Sequence, residues 1–147
     1  MALKGLKGVW FLSMVAALAV LLYIYASLPQ QVVIQDQIDG AVSVSNETVF
    51  YLTMLLMAIT NVLVFVVSRV LSHDIPLRTW FYGLIATLNV FYIVGLNYVA
   101  LFNMEINTRA AEQMAILIYG SIALMLLWAL AWPVYLIFRR LAPKQLA

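Results

Sequence analysis

The chain has 147 residues, of which 66% are hydrophobic and 10% are charged. A soluble domain is about half apolar and about a quarter charged, so this composition excludes an ordinary soluble domain and indicates that lipid is the main solvent. The sequence has no cysteine and one histidine, which excludes thiolate metal sites, iron–sulfur clusters and haem or di-iron sites built on paired histidines.

Four stretches contain no Asp, Glu, Lys or Arg: residues 8–35, 48–68, 79–104 and 113–138. A helix needs about 20 apolar residues to cross a bilayer, and each stretch meets that length. We therefore expect an all-α membrane protein, an up-down bundle of four transmembrane helices in a single domain, 1–147. The helices are predicted at about 9–27, 48–67, 79–102 and 113–138. Their connections are short, so consecutive helices should be antiparallel neighbours.

The basic residues predict the orientation of the helices. Seven of them fall on the same side as the N-terminus: Lys4, Lys7, Arg69, Arg78, Arg139, Arg140 and Lys144. Only Arg109 falls on the other side. Because cytoplasmic loops carry the excess of Lys and Arg, both termini are predicted to be cytoplasmic.

The first connection, on the outer side, has β-branched residues on both sides of an Asp39-Gly40 turn signal. This pattern predicts either a small extracytoplasmic β-hairpin that caps the bundle or an ordered loop that only joins two helices. If the loop recognises a partner, its candidate residues are Pro29, Asp36, Asp39 and Gly40.

The same region carries a family resemblance. The first helix ends in Tyr-Ala-Ser-Leu-Pro at residues 25–29, followed by Val-Val-Ile at 32–34 and then Asp39-Gly40. Over roughly residues 15–60 this pattern resembles the N-terminal membrane domain of SdpI-like toxin-immunity proteins and their uncharacterised relatives. That family's loop carries a proline and a histidine where this chain has Val33 and Gln35. The resemblance implies a small multi-helix membrane domain with an extracytoplasmic loop, in a bacterial envelope. We expect the chain to be integral to the bacterial cytoplasmic (inner) membrane.

Polar residues interrupt the second and third apolar stretches: Thr53, Thr60, Asn61, Asn89 and Asn97. At 1.5 Å per residue, Asn61 and Asn89 lie about 12 Å and about 16 Å from the cytoplasmic ends of their helices, so they can bond if they face each other. Thr53 and Asn97 share a similar depth near the outer side. These groups either pair between helices or line a polar cavity. We favour pairing, because an unpaired amide in hydrocarbon is costly.

No Asp, Glu, Lys or Arg lies inside the four apolar stretches, which argues against an enzyme and against proton-coupled transport. We expect a non-enzymatic integral membrane protein that acts through protein–protein interaction, as an accessory subunit of an envelope complex or an immunity or sensor-like module. The alternative is a small transporter or lipid-handling protein with a polar intramembrane cavity. We expect no cofactor, no metal and no nucleic acid. The expected partners are the lipid bilayer and other membrane protein subunits.

Overall fold

The computed structural model describes residues 2–35, 40, 42–70, 73–104 and 108–141. The described elements are four helices and two strands, in the order α1 (Ala2–Ser27), β1 (Gln31–Gln35), β2 (Val42–Ser45), α2 (Asn46–Val70), α3 (Ile75–Asn103) and α4 (Thr108–Leu141). Each helix contains a segment long and apolar enough to cross a membrane. The four predicted helices are therefore confirmed, and the first connection forms the hairpin rather than a loop without strands.

The helices begin earlier than the apolar stretches predict. Helix α1 starts at Ala2 rather than near residue 9, because Leu3 and Leu6 continue its contact with α3. Helix α3 starts at Ile75 rather than near residue 79. The carboxylate of Asp74 accepts the backbone N–H of Leu77 at 3.1 Å and caps this helix.

Helix α3 is the central helix of the fold. It packs against α1, α2 and α4, whereas over the described residues the backbone of α4 approaches that of α3 alone. Consecutive helices are neighbours, as predicted, but the most extensive pairing joins α1 to α3. These two helices run in the same direction, since Trp10 contacts Tyr82 in their N-terminal parts and Ile24 clusters with Ala100 near their C-terminal ends. The arrangement is therefore three mutually packed helices, with α4 packed against α3 on one side of them.

The hairpin closes one end of the helices, which we call the hairpin end; the other is the opposite end. Its strands are antiparallel, with Val32 paired to Val44 and a bulge between Val33 and Gln35. A two-stranded ribbon is marginal by itself. Here it is anchored by the fully buried Val32 side chain, which joins an apolar cluster with Leu21, Leu28 and Leu96.

Two tryptophans join α4 to α3. The indole N–H of Trp80 donates to the carbonyl of Trp128 at 2.7 Å, and the indole N–H of Trp128 donates to the carbonyl of Trp80 at 2.8 Å. The ring of Trp128 lies directly over Gly83, where a Cβ atom would overlap it. The close approach of the two helices therefore requires glycine at this position.

We predict that Gly83→Ala lowers the thermal unfolding midpoint of the detergent-solubilised protein. The added methyl group displaces Trp128 from its place against α3, and overpacking of this kind costs about 1–3 kcal/mol. Gly95→Ala is the matched control, because it lies on the same helix and a Cβ atom there meets nothing within 4 Å. Equal midpoints for the two variants would contradict the assigned role of Gly83.

Candidate functional site

The core has two apolar clusters. One includes Leu21 and Leu96, near the hairpin, and the other contains Val64, Tyr82 and Ile85. A hydrogen-bonded layer of polar side chains separates them. Asn61 on α2 and Asn89 on α3 form its centre. The amide nitrogen of Asn61 donates to Oδ1 of Asn89 at 3.0 Å, and the amide nitrogen of Asn89 donates to Oδ1 of Asn61 at 3.2 Å. Both residues are buried, and Asn89 has no exposed surface. The structure thus brings together the two asparagines whose depths in the sequence are similar.

Helix α1 completes this layer with two side chains. The indole N–H of Trp10 donates to Oδ1 of Asn61 at 2.9 Å, and the amide of Asn89 donates to the Ser13 hydroxyl oxygen at 3.1 Å. The Ser13 hydroxyl in turn donates to the carbonyl of Trp10 at 2.8 Å. We call Trp10, Ser13, Asn61 and Asn89 the amide network. It connects three helices through side chains that are far apart in sequence.

The amide network satisfies its own donors. The second amide hydrogen of Asn61 goes to the carbonyl of Met57 at 2.8 Å, so each side-chain N–H and O–H of the four residues has an acceptor within the protein. Fully satisfied buried networks rigidify a core and favour one arrangement of its elements. This geometry supports a packing role, since a ligand that bonded to these donors would first have to break the bonds between helices.

Two of the other three polar residues singled out in the sequence, Thr60 and Asn97, bond within their own helices. The Thr60 hydroxyl donates to the carbonyl of Leu56 at 2.9 Å, and the Asn97 amide donates to the carbonyl of Ile93 at 2.8 Å. Thr53 lines a groove of about 210 Å³ between α2 and α3. No hydrogen bond joins Thr53 to Asn97, although the structure describes both residues.

A second polar contact holds the hairpin against α3. The amide of Asn103 pairs with both backbone groups of Val33: its oxygen accepts the Val33 N–H at 2.7 Å, and its nitrogen donates to the Val33 carbonyl at 3.0 Å. The Asn103 side chain thus makes the two hydrogen bonds that a neighbouring strand would make, on the edge of β1 away from β2. Since strand edges carry unpaired backbone groups, this pairing satisfies one residue of that edge.

The structure describes two of the four candidate recognition residues, Pro29 and Gly40. Pro29 is exposed just before β1, and Gly40 is exposed in the turn with a φ of 130°, a left-handed conformation that favours glycine. Asp36 and Asp39 lie outside the described residues.

Sequence reasoning missed Trp10 and Asn103 as parts of these contacts. Asn103 closes the third apolar stretch, and an amide at the end of a helix beside a β-rich loop was the signal that could have found it. Trp10 carried no comparable signal, because a tryptophan near the end of an apolar stretch is common at membrane interfaces. Among the described residues, no group of three or more His, Asp or Glu could hold a metal.

Comparison with protein families, with curated proteins and with solved structures found no match. The interpretation of the site therefore depends on its geometry.

We predict that Asn89→Leu destabilises the protein by about 1–3 kcal/mol, because it leaves a buried N–H donor of Asn61 without its acceptor and the hydroxyl oxygen of Ser13 without its donor. The measurement is reversible unfolding of the detergent-solubilised chain. Asn97→Leu removes the same amide from the same helix but breaks only a bond within α3, so its loss should be smaller. In the double variant Asn61→Leu, Asn89→Leu, part of the loss should be recovered, since both amides are then absent. Equal effects of Asn89→Leu and Asn97→Leu would rule out the amide network as a determinant of stability.

We also predict that Asn103→Leu loosens the hairpin without unfolding the helices. The Val33 amide loses its acceptor, so its hydrogen exchange should accelerate while exchange in the middle of α3 stays unchanged. Asn97→Leu serves again as the control, because Asn97 does not bond to the hairpin. Unchanged exchange at Val33 in Asn103→Leu would show that burial of Val32 alone holds the hairpin.

Proposed function

We propose that this chain is an integral protein of a bacterial cytoplasmic membrane, with both termini cytoplasmic. Four helices long and apolar enough to cross a membrane support this proposal. The distribution of charge supports the orientation. In the predicted topology, seven of the eight basic residues lie on the same side as the N-terminus, and only Arg109 lies on the outer side.

The proposed activity is interaction with another membrane protein, through the hairpin, rather than catalysis. The observation that carries this proposal is that the hairpin has a fixed base and exposed apolar side chains. Val32 is buried in the core and Asn103 bonds to Val33, whereas Ile34 is 52% exposed and Val42 is 43% exposed. A preorganised element loses little conformational entropy when it binds, so it is suited to recognition.

Charge indicates the kind of partner. Five of the six acidic residues lie in the two connections that the sequence predicts on the outer side: Asp36, Asp39, Glu47, Glu105 and Glu112. A partner with a basic extracytoplasmic surface fits this distribution, because complementary charges accelerate association and suppress incorrect pairing. An accessory subunit of an envelope complex and an immunity or sensor-like module both use such a contact.

The alternative, a transporter or lipid-handling protein with a polar intramembrane cavity, has less support. Its candidate lining consists of Asn61, Asn89 and Asn97. The first two satisfy each other and the third bonds to its own helix, so their amides are engaged in structural contacts.

We predict that the hairpin forms a discrete crosslink to one partner protein. A photoreactive amino acid at Ile34 or Val42 should give this crosslink in intact cells, whereas the same group at Leu12, exposed on the middle of α1, should not. Asp36→Asn with Asp39→Asn should abolish the crosslink by removing the acidic charge. Glu47→Gln, which removes a single exposed acid in the first turn of α2, should weaken the crosslink less than the double change in the turn.

A reporter fused after Ala147 keeps insertion and recognition separate in this experiment. Cytoplasmic reporter activity in every variant is the expected result. A periplasmic signal would overturn the orientation, and a crosslink that persists in the Asp36→Asn, Asp39→Asn protein would overturn recognition by the acidic turn.

A further inference from the structure

A groove with a volume of about 400 Å³ lies at the opposite end of the molecule, between α3 and α4. Small-molecule sites in proteins typically enclose about 300–1,000 Å³, so the groove can hold a ligand of that size. Its walls are mainly aromatic and include Trp80, Trp128, Trp132 and Tyr135, with Ala131 between the α4 aromatics and Leu6 contributed by α1. Trp132 links two of these rings, with centroids 5.8 Å from Trp80 and 5.5 Å from Tyr135.

Three of the polar groups that line the groove are already engaged. The indole N–H groups of Trp80 and Trp128 both donate to backbone carbonyls across the helix pair. The hydroxyl of Thr79, which also lines the groove, donates to the carbonyl of Ile75 at 2.8 Å. These three side chains therefore present hydrocarbon surface to the groove, which suits an acyl chain.

A basic residue lies where the groove approaches the end of α4. Trp128, Trp132 and Tyr135 follow each other at spacings of four and three residues, which places them on one face of the helix. Arg139 continues this row one turn beyond Tyr135, is exposed and is followed by Arg140. A ligand with its hydrocarbon chain in the groove thus has its polar end next to positive charge.

We propose that this groove binds an anionic phospholipid, with one acyl chain against the tryptophans and the phosphate group beside Arg139. The inference rests on the proposed membrane integration, because only in a bilayer does the groove open to acyl chains. Basic sites between transmembrane helices on the cytoplasmic side recognise anionic headgroups in the same chemical manner. The site differs from the polar cavity considered above, since it contains none of the buried asparagines.

The tryptophans of the groove report its occupancy directly. Three of the four tryptophans of the chain line the groove, and the fourth, Trp10, belongs to the amide network. The full chain is reconstituted in phosphatidylcholine vesicles containing a minor fraction of phosphatidylglycerol. Bromine, which quenches tryptophan on contact, is placed on the acyl chains of phosphatidylglycerol or of the same mole fraction of phosphatidylcholine. The expected result is stronger quenching by the brominated anionic lipid.

Arg139→Gln tests the headgroup contact. It should weaken the preference for the anionic lipid about fivefold, the effect of about 1 kcal/mol per basic side chain near an anionic surface. Arg69→Gln is its matched control. Arg69 lies on α2 at the same end with its guanidinium 4.7 Å from the ring of Phe65, so this variant removes the same charge away from the groove.

Ala131→Phe tests the acyl-chain contact without adding a tryptophan. Its ring fills the groove and should abolish the excess quenching. Leu127→Phe, at a position of α4 that is 69% exposed and outside the groove, should leave it unchanged. Thermal midpoints of both variants show whether each is folded, and Arg139→Gln tests the site even if Ala131→Phe does not fold.

Three outcomes would overturn the proposal. Equal quenching by the two brominated lipids means that the groove contacts bulk lipid without selecting a headgroup. A change in the sedimentation mass of the purified protein on Ala131→Phe, with quenching unaltered, means that a second copy of the chain occupies the groove. Release of the protein from membranes by alkaline carbonate contradicts membrane integration itself, and so separates failure of the proposed function from failure of the lipid site.

Discussion

The requirement that two buried amides be hydrogen-bonded governs the arrangement of α1, α2 and α3. Asn61 and Asn89 bond to each other between α2 and α3. From α1, Trp10 donates a further hydrogen bond to Asn61, and Ser13 accepts one from Asn89. Apolar contacts are not directional, so the clusters on both sides could tolerate small shifts of one helix along another. The amides cannot, because a displaced amide leaves a donor or acceptor unpaired in an apolar core. The directional contacts therefore align the helices, and the apolar contacts pack around them.

Helix α4 is attached by a different principle. Among the described residues, its backbone approaches only α3, and exposed apolar side chains surround most of its length. The reciprocal bonds of Trp80 and Trp128, together with the missing side chain at Gly83, hold the two helices together at the opposite end. The same tryptophans form the walls of the aromatic groove. The same contact thus helps to hold α4 against α3 and forms part of the apolar groove beside it.

The candidate sites were accessible to sequence reasoning to different degrees. The Asn61–Asn89 contact could be anticipated, because helix rise converts sequence position into depth and the two depths agree. Asn97 is also an asparagine, and its depth is similar to that of Thr53 on α2. It nevertheless bonds to the carbonyl of Ile93 in its own helix. Depth alone does not determine which way a side chain faces. The amide at the end of α3 was a signal for a contact of Asn103, but not for its partner, because Val33 is 70 residues away in the sequence.

The sequence by itself determined the number of helices, their approximate lengths and the position of the turn at Gly40, because these depend on local composition and on length. Tertiary structure alone decided that α1 pairs in parallel with α3, that Val32 of the hairpin is buried and that, over the described residues, the backbone of α4 approaches α3 alone. Helix α4 is apolar on nearly all sides, so its sequence carries no periodic signal for the face that packs. Such choices depend on shape, here the space above Gly83 for the ring of Trp128, and shape exists only once the helices are assembled.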